Sequence, residues 1–159
     1  MTAFHAFVGA LDHDMLIVTA AAGAERDGCL VGFHTQASID PPRLLVCLSD
    51  KNRTYRLARE ADVLVVHQVP EDAPDLAELF GGETGDEVDK LAQVAWRPGP
   101  GGAPVLERCR NWVAGEVLER LDCGDHVAFL LEPIDGEASE QARGLRFSAV
   151  KGMHPGHQA

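Results

Sequence analysis

Basic residues are scarce in this chain of 159 residues. Fourteen Lys and Arg stand against 25 Asp and Glu, which gives a formal net charge of −11. Nucleic acids and anionic membrane surfaces are bound through basic patches, so this balance argues against both as partners. An anionic small molecule is still compatible with the charge, because nearby donors act more strongly than distant, screened carboxylates.

Long apolar runs are also lacking. No stretch approaches the 18 residues that suggest a membrane span, and the N-terminus has no basic region followed by an apolar segment, as a signal peptide would. We therefore expect a cytoplasmic protein. The length suits one domain over residues 1–159, which can bury roughly two thirds of its unfolded surface and needs no disulfide to stay folded.

Cysteines are few, and their spacing fits no metal site. The four are Cys29, Cys47, Cys109 and Cys123, without a CxxC pair or a zinc pattern. We interpret them as reduced structural thiols. His13 lies between two aspartates, which we interpret as a solvated turn, and we predict no metal site.

Short apolar runs bounded by turn residues predict a mostly β protein. Strands are predicted at 15–22, 29–35, 44–48, 62–69, 126–134 and 145–150, with a loop at 24–28. Residues 112–121 fit both a helical stripe and strand alternation. The interior Gly115 and the following turn at 122–125 favour a strand that pairs with 126–134 as a hairpin. Helices are predicted at 53–61, 72–80 and 86–91, and a long loop at 97–104.

The loop after strand 44–48 has the composition of an anion site. It reads Ser49-Asp50-Lys51-Asn52-Arg53-Thr54 and opens a helix. The free N–H groups and the dipole of a helix start favour negative charge, and these side chains add donors and positive charge. An ordinary capped surface helix explains the same residues, because capping residues precede most helices.

A wider pattern makes the anion site more specific. Gly28, the run Ser38-Ile39-Asp40-Pro41-Pro42-Arg43, the apolar strand after it and Asn52-Arg53-Thr54 together resemble the flavin-reductase-like family of FMN-binding split barrels. The resemblance extends from about residue 7 to residue 150. It implies a six-stranded antiparallel Greek-key split β-barrel with a few short flanking helices, acting as a homodimer with FMN near the subunit interface.

The resemblance also implies the residues of the cofactor site. The first strand and its turn would line the isoalloxazine, and the strand-to-helix loop would hold the phosphate. The implied residues are Val31, Gly32, Phe33, His34, Thr35, Gln36, Ala37, Ser38, Lys51, Asn52, Arg53 and Thr54. The chain departs from the family at Gly32-Phe33-His34, where small hydroxyl residues are usual, and at Asn52, where a serine is common.

His126 is the candidate catalytic residue. In similar proteins the histidine of a Gly-Asp-His turn lies near nicotinamide and flavin, and the match at Gly124-Asp125-His126 is literal. Such a histidine can bind the dinucleotide or relay a proton to reduced flavin. Alternatively, it is a strand-start histidine bonded to a carbonyl.

The implied activity is NAD(P)H-dependent reduction of FMN, with reduced flavin passed on to a partner monooxygenase. NADH and NADPH are not distinguished by the residues, nor are FMN and FAD. One alternative is an FMN-binding electron carrier without a nicotinamide site. Another is a split barrel that binds deazaflavin, or haem with His34 or His67 as axial ligand.

Overall fold

The computed structural model describes residues 1–82 and 88–153. The beginning of the helix predicted at 86–91 and the tail histidines His154 and His157 lie outside the described residues. Within the described residues, Lys90 and Leu91 of the predicted helix belong to a short 3-10 turn at Lys90–Gln93.

Seven strands form one antiparallel sheet, which confirms the mostly β prediction. They are β1 (Leu16–Ala22), β2 (Glu25–Val31), β3 (His34–Ser38), β4 (Arg43–Ser49), β5 (Val63–Gln68), β8 (Trp112–Asp122) and β9 (His126–Glu137). Their order across the sheet is β2-β1-β5-β8-β9-β4-β3. A separate two-stranded ribbon consists of β6 (Trp96–Pro98) and β7 (Pro104–Leu106).

The predicted strand at 29–35 is two strands, and the predicted strand at 145–150 is not part of the sheet. The sheet therefore has seven strands, one more than the six that the resemblance implies. The 29–35 stretch is interrupted at Gly32 and Phe33, so β2 pairs with β1 while β3 pairs with β4 at the opposite edge. Two residues can connect opposite edges only if the sheet curls until those edges meet. The Cys47 N–H donates to the Phe33 carbonyl at 2.9 Å at this junction. The result is a barrel that is split rather than closed by a continuous ladder.

Two hairpins of the sheet have a glycine with positive φ in the turn. Gly23 has a φ of +60° and makes the turn between β1 and β2, so β2 already begins at Glu25 and the predicted loop at 24–28 is wrong. Gly124 has a φ of +129° at the tip of the β8–β9 hairpin. This confirms the predicted turn at 122–125 and the prediction that residues 112–121 form a strand.

The described residues contain three α-helices: α1 (Thr2–Gly9), α2 (Arg53–Ala58) and α3 (Pro74–Gly82). Helix α1 was not predicted, because it has neither a capping side chain nor a charged residue. Helix α2 ends three residues earlier than predicted. Within 1–82 and 88–153, no helix has both the length and the apolar character to cross a membrane.

Two predictions in the second half of the chain, the loop at 97–104 and the strand at 145–150, are corrected by the structure. The 97–104 loop contains the ends of β6 and β7, whose prolines pair at Pro98↔Pro104, at the limits of the ribbon where fewer N–H donors are needed. The predicted strand at 145–150 makes one bridge at Arg146 and then a 3-10 turn at Phe147–Ala149. Asp12 fixes that turn, because its carboxylate accepts from both the N–H and the hydroxyl of Ser148 at 2.9 Å.

The core has two main apolar clusters. One lies inside the curled sheet around Val18, Val46 and Phe129, and the other lies between the sheet and α3 around Ile17 and Phe80. Burial of these side chains on both faces of the sheet provides the rigid frame on which the strand ends are held.

Candidate functional site

Three separately predicted segments meet at the start of β9. His126 lies opposite Ser49 in the β4–β9 register, at the beginning of the predicted phosphate loop. The N–H of Asp50 donates to the Asp125 carbonyl at 3.0 Å, which ties that loop to the β8–β9 turn. On the other side, the centre of the Phe33 ring is 4.8 Å from that of His126, at an interplanar angle of 49°. The structure thus brings three predicted parts together: residues 31–38, which we call the ring segment because they are expected to line the isoalloxazine, the loop at 49–54 and His126.

The orientation of His126 is set by its neighbour. Its Nδ1 is 2.7 Å from Asp125 Oδ1, so Nδ1–H donates to the carboxylate and Nε2 is available to other groups. This bond and the charge of the imidazole hold the pKa of Asp125 below its usual range, and Lys51 adds to the effect. The His126 side chain is 19% exposed. A ligand at Phe33 can therefore reach an imidazole of fixed tautomer.

The predicted ring segment follows an edge strand. Because β3 is the last strand of the sheet, one side of its backbone is not paired with another strand of residues 1–82 and 88–153. Val31 is buried, Gly32 and Ser38 are half-buried, and Phe33, Thr35, Gln36 and Ala37 are exposed. An open cavity of about 630 Å³ lies at its end, lined by Gln36, Ala37, Ser38, Ile39 and Asp40. The segment presents backbone groups and small side chains to a ligand, together with the Phe33 ring.

The His34 side chain is not free for a ligand, because it is directed towards the residues just before β1. Its Nε2 donates to the Asp14 carbonyl at 2.7 Å, and its ring meets the His13 ring edge-on at 5.9 Å. His13 in turn stacks on Phe147 at 5.3 Å, and its Nε2 is buried, without a hydrogen bond inside the described part of the chain. Our interpretation of His13 as a solvated turn residue is therefore wrong. This contact could not be predicted from local sequence, because Phe147 is distant along the chain.

The backbone of the predicted phosphate loop is less open than the sequence suggested. The Asn52 side chain accepts from the Thr54 N–H at 3.1 Å and caps α2. The N–H groups of Asp50, Lys51 and Asn52 are also bonded, to Asp125, to the Ser49 hydroxyl and to the Ser49 carbonyl. An anion at this loop would therefore depend on side chains more than on free helix-start amides.

The side chains of the loop point in three directions. Lys51 is exposed on the same side as the Asp125 turn. Arg53 turns towards β2, where it is 3.5 Å from Asp27 and 3.4 Å from Glu25. Thr54 is fully buried, and its hydroxyl has no hydrogen bond of standard geometry within 1–82 and 88–153, although the Cys29 thiol approaches it.

The four cysteines are free, and three of them, Cys29, Cys47 and Cys109, are poorly suited to act as thiolates, whereas Cys123 is exposed. Burial raises the pKa of Cys29 to about 12 and that of Cys109 to about 12, and it also raises the pKa of Cys47. A thiol with a raised pKa is a weak nucleophile at neutral pH. These surroundings agree with the prediction of structural thiols.

His67 is buried in the sheet with both nitrogens engaged. Its Nδ1 donates to the Ile17 carbonyl at 3.0 Å, and its Nε2 accepts from the Leu106 N–H at 3.0 Å. Burial lowers its pKa to about 4, so the ring is neutral near pH 7. These bonds leave no nitrogen of His67 for a haem iron.

The curled antiparallel sheet defines a split barrel, and the predicted ligand site lies where the edge strand β3 and the loop at 49–54 come together. The chain belongs to the family described as "Flavin reductase like domain", whose model matches residues 8–151.

Individual relatives agree with this membership. The chain is 29% identical over 120 residues to the FMN reductase (NADH) RutF of Pseudomonas syringae pv. syringae, covering 76% of this chain and 66% of that protein. It is 26% identical over 133 residues to the reductase component of FADH(2)-dependent resorcinol hydroxylase from Rhizobium sp., covering 83% and 74%. Among solved structures, an FMN-binding protein from Thermus thermophilus has a TM-score of 0.76 and 27% identity, covering 82% of this chain and 74% of that one.

Several relatives are longer than this chain. It spans 39%, 51% and 53% of the length of three other proteins that match it at 25–29% identity.

Proposed function

We propose that the protein is an NAD(P)H:flavin oxidoreductase that reduces FMN. The observation that carries the proposal is the 4.8 Å approach of the Phe33 and His126 rings beside the loop at 49–54. An aromatic ring, a histidine of fixed tautomer and the exposed Lys51 lie where a planar ring and its phosphate could be held together. Relatives named as an NADH-dependent FMN reductase and as a monooxygenase reductase component support the same activity.

The residues present fit a flavin. The unpaired backbone side of β3 can bond the polar edge of an isoalloxazine, and Phe33 can pack against its plane. The exposed ammonium of Lys51 lies just before the start of α2, where the Asn52 side chain fixes the backbone. These residues would hold the phosphate. Bound flavin and nicotinamide supply the hydride chemistry, and the protein supplies position and electrostatics.

His126 has two roles in this proposal. With Nδ1 bonded to Asp125, its Nε2 accepts a hydrogen bond from a neutral donor, or donates one when the ring is protonated. It can therefore orient the carboxamide of a nicotinamide over the Phe33 side of the site. It can also hold a proton at Nε2 for delivery to the reduced ring, with the carboxylate stabilising the charged imidazole.

A homodimer also belongs to the proposal. Every residue of α1 is exposed, and its apolar side chains include Phe4, Phe7 and Val8. Leu121 in β8 and Ile134 in β9 are also exposed, at 66% and 48%. An eight-residue helix without packing is marginal in water, so a second copy that covers these surfaces would stabilise α1. We propose a cytoplasmic dimer that passes reduced flavin to a monooxygenase.

Steady-state kinetics test the activity. Purified protein should oxidise NADH or NADPH when FMN is supplied, and its visible spectrum should change when FMN is added. Binding of FMN without oxidation of either nicotinamide would contradict the proposal and favour an electron carrier. Absence of flavin binding, with a haem or deazaflavin spectrum, would favour the other alternative.

The phosphate assignment predicts selective loss of FMN affinity. Replacing Lys51 by Gln removes a charged partner of the phosphate without disturbing a buried contact. A lost charge-assisted hydrogen bond costs about 1.5–3 kcal/mol, or roughly ten- to a hundredfold in Kd. Fluorescence titration should show this loss for FMN but not for riboflavin, which lacks the phosphate.

Lys151→Gln is the matched control, because it makes the same change of charge at another exposed lysine. It should leave both affinities near those of the wild type. Equal weakening of FMN and riboflavin by Lys51→Gln would rule out the phosphate role of Lys51.

A further inference from the structure

Phe33 lies where the chain crosses from β2 to β3, between opposite edges of the sheet. Its carbonyl accepts from the Cys47 N–H at 2.9 Å, so its backbone is fixed beside β4. His126 is on the next strand, β9, just before Val127, whose side chain belongs to the core inside the curled sheet. Because successive side chains of a strand point to opposite faces, His126 is on the outer face. The Phe33 ring thus reaches over β4 to meet the imidazole on the outside of the sheet.

The Phe33 ring covers His126 without being locked in place. The two ring centres are 4.8 Å apart at an interplanar angle of 49°, and the His126 side chain is only 19% exposed. Phe33 itself is 58% exposed. Exposed side chains change rotamer within picoseconds to nanoseconds, so this ring can leave the imidazole without movement of the backbone.

The proposed reaction needs the space that Phe33 occupies. Hydride transfer requires reacting atoms about 3–3.5 Å apart, so nicotinamide and flavin must be in direct contact. In the proposed function His126 orients the nicotinamide, which places that ring on the side where Phe33 rests. A phenyl ring cannot stay on the imidazole while a nicotinamide binds there.

The covering ring is a property of this chain rather than of its family. At Gly32-Phe33-His34 the chain departs from the small hydroxyl residues that are usual at these positions. A serine or threonine at position 33 would be too short to reach over β4, and the imidazole would stay open to a ligand.

We propose that Phe33 is a gate that controls the access of nicotinamide to His126. The ring covers the imidazole while no nicotinamide is bound and turns aside when the nicotinamide ring enters. This inference rests on the proposed function for the place of the nicotinamide, and it adds what limits entry to that place. Only the fraction of molecules with the gate open accepts NAD(P)H, so the apparent affinity is reduced by that fraction.

Phe33→Ala tests the gate through the KM for NAD(P)H. Because no ring has to be displaced, KM at saturating FMN should fall about two- to tenfold, the range expected from one aromatic contact. FMN is kept saturating, since the same ring can pack against the isoalloxazine. Phe33→Tyr is the matched control. It keeps a ring on the imidazole, and its KM should stay near that of the wild type.

Nuclear Overhauser spectra follow the ring without turnover. The chain has six phenylalanines and seven histidines, so selective labelling allows the cross-peaks between the Phe33 and His126 rings to be assigned. These cross-peaks should be present in the FMN-loaded wild type and disappear at saturation with NAD⁺. NAD⁺ has no hydride to give, so it occupies the nicotinamide place without reaction. Cross-peaks that persist with NAD⁺ bound would overturn the gate.

A double-mutant cycle shows whether Phe33 acts through His126. In His126→Ala the ring has no imidazole to cover, so the additional Phe33→Ala change should leave KM unaltered. Equal KM values in the wild type and Phe33→Ala, or the same fall in KM on both backgrounds, would overturn the proposal. Failure of the proposed function would appear differently, as absence of NAD(P)H oxidation in the wild type and in every variant.

Discussion

Replacement of His126 by Ala should lower NAD(P)H turnover by tenfold or more. The imidazole is held by Asp125 at 2.7 Å and lies 4.8 Å from Phe33, centre to centre, so its Nε2 has a fixed position at the site. Positioned acid–base groups typically contribute about 10²–10⁴ in rate. Stopped-flow bleaching of flavin should show the loss in the rate of reduction or in the apparent nicotinamide affinity.

FMN affinity and thermal stability should stay near wild type in this variant, because the ring is partly exposed and packs mainly on Phe33. Asp125→Asn should give a smaller loss, because it weakens the orientation of the ring without removing it. Normal reduction by His126→Ala would show that the histidine is a strand-start residue only.

Much of the fold could be predicted from local chemistry. The apolar strand before Ser49, the Gly124 turn and the alternation around Gly115 each depend on residues that are close in sequence, and each prediction was confirmed. The division of 29–35 could not be predicted in this way. Its cause is that β2 and β3 belong to opposite edges of a curled sheet, which only the tertiary arrangement determines.

The same limit applies to the site. Residues of the ring segment, the loop and the Gly-Asp-His turn were recognised by pattern, but their meeting at His126 depends on the β4–β9 register. The directions in which the Arg53 and Thr54 side chains point could not be predicted from the sequence either. Both belong to one short helix start, yet Arg53 finds acidic partners on β2 while Thr54 turns into the core. His67 is a further case, because its partners Ile17 and Leu106 are on distant strands.

Stability should fall in mild acid because of His67. Its folded pKa of about 4 is below the unfolded value of about 6.5, so above pH 6.5 the ring is neutral in both states and stability is complete. Between pH 6.5 and 4 the unfolded chain binds a proton that the folded chain excludes. The free energy of unfolding should therefore decrease by about 3 kcal/mol over this window, measured by urea denaturation at a series of pH values.

Two variants separate this effect from other titrating groups. His67→Gln can still donate to Ile17 and accept from Leu106, and its pH dependence between 6.5 and 4 should be much flatter than that of the wild type. His67→Leu leaves both backbone groups unpaired and should lower the free energy of unfolding by about 2–6 kcal/mol already at pH 7.5, since each buried unsatisfied group costs about 1–3 kcal/mol. The carboxylates of Asp12, Asp75 and Asp125, whose pKa values are lowered, remain in both variants and destabilise the fold only at more acidic pH. An equally steep acid transition in His67→Gln would mean that another group carries the pH dependence, because the neutral amide has no proton to gain.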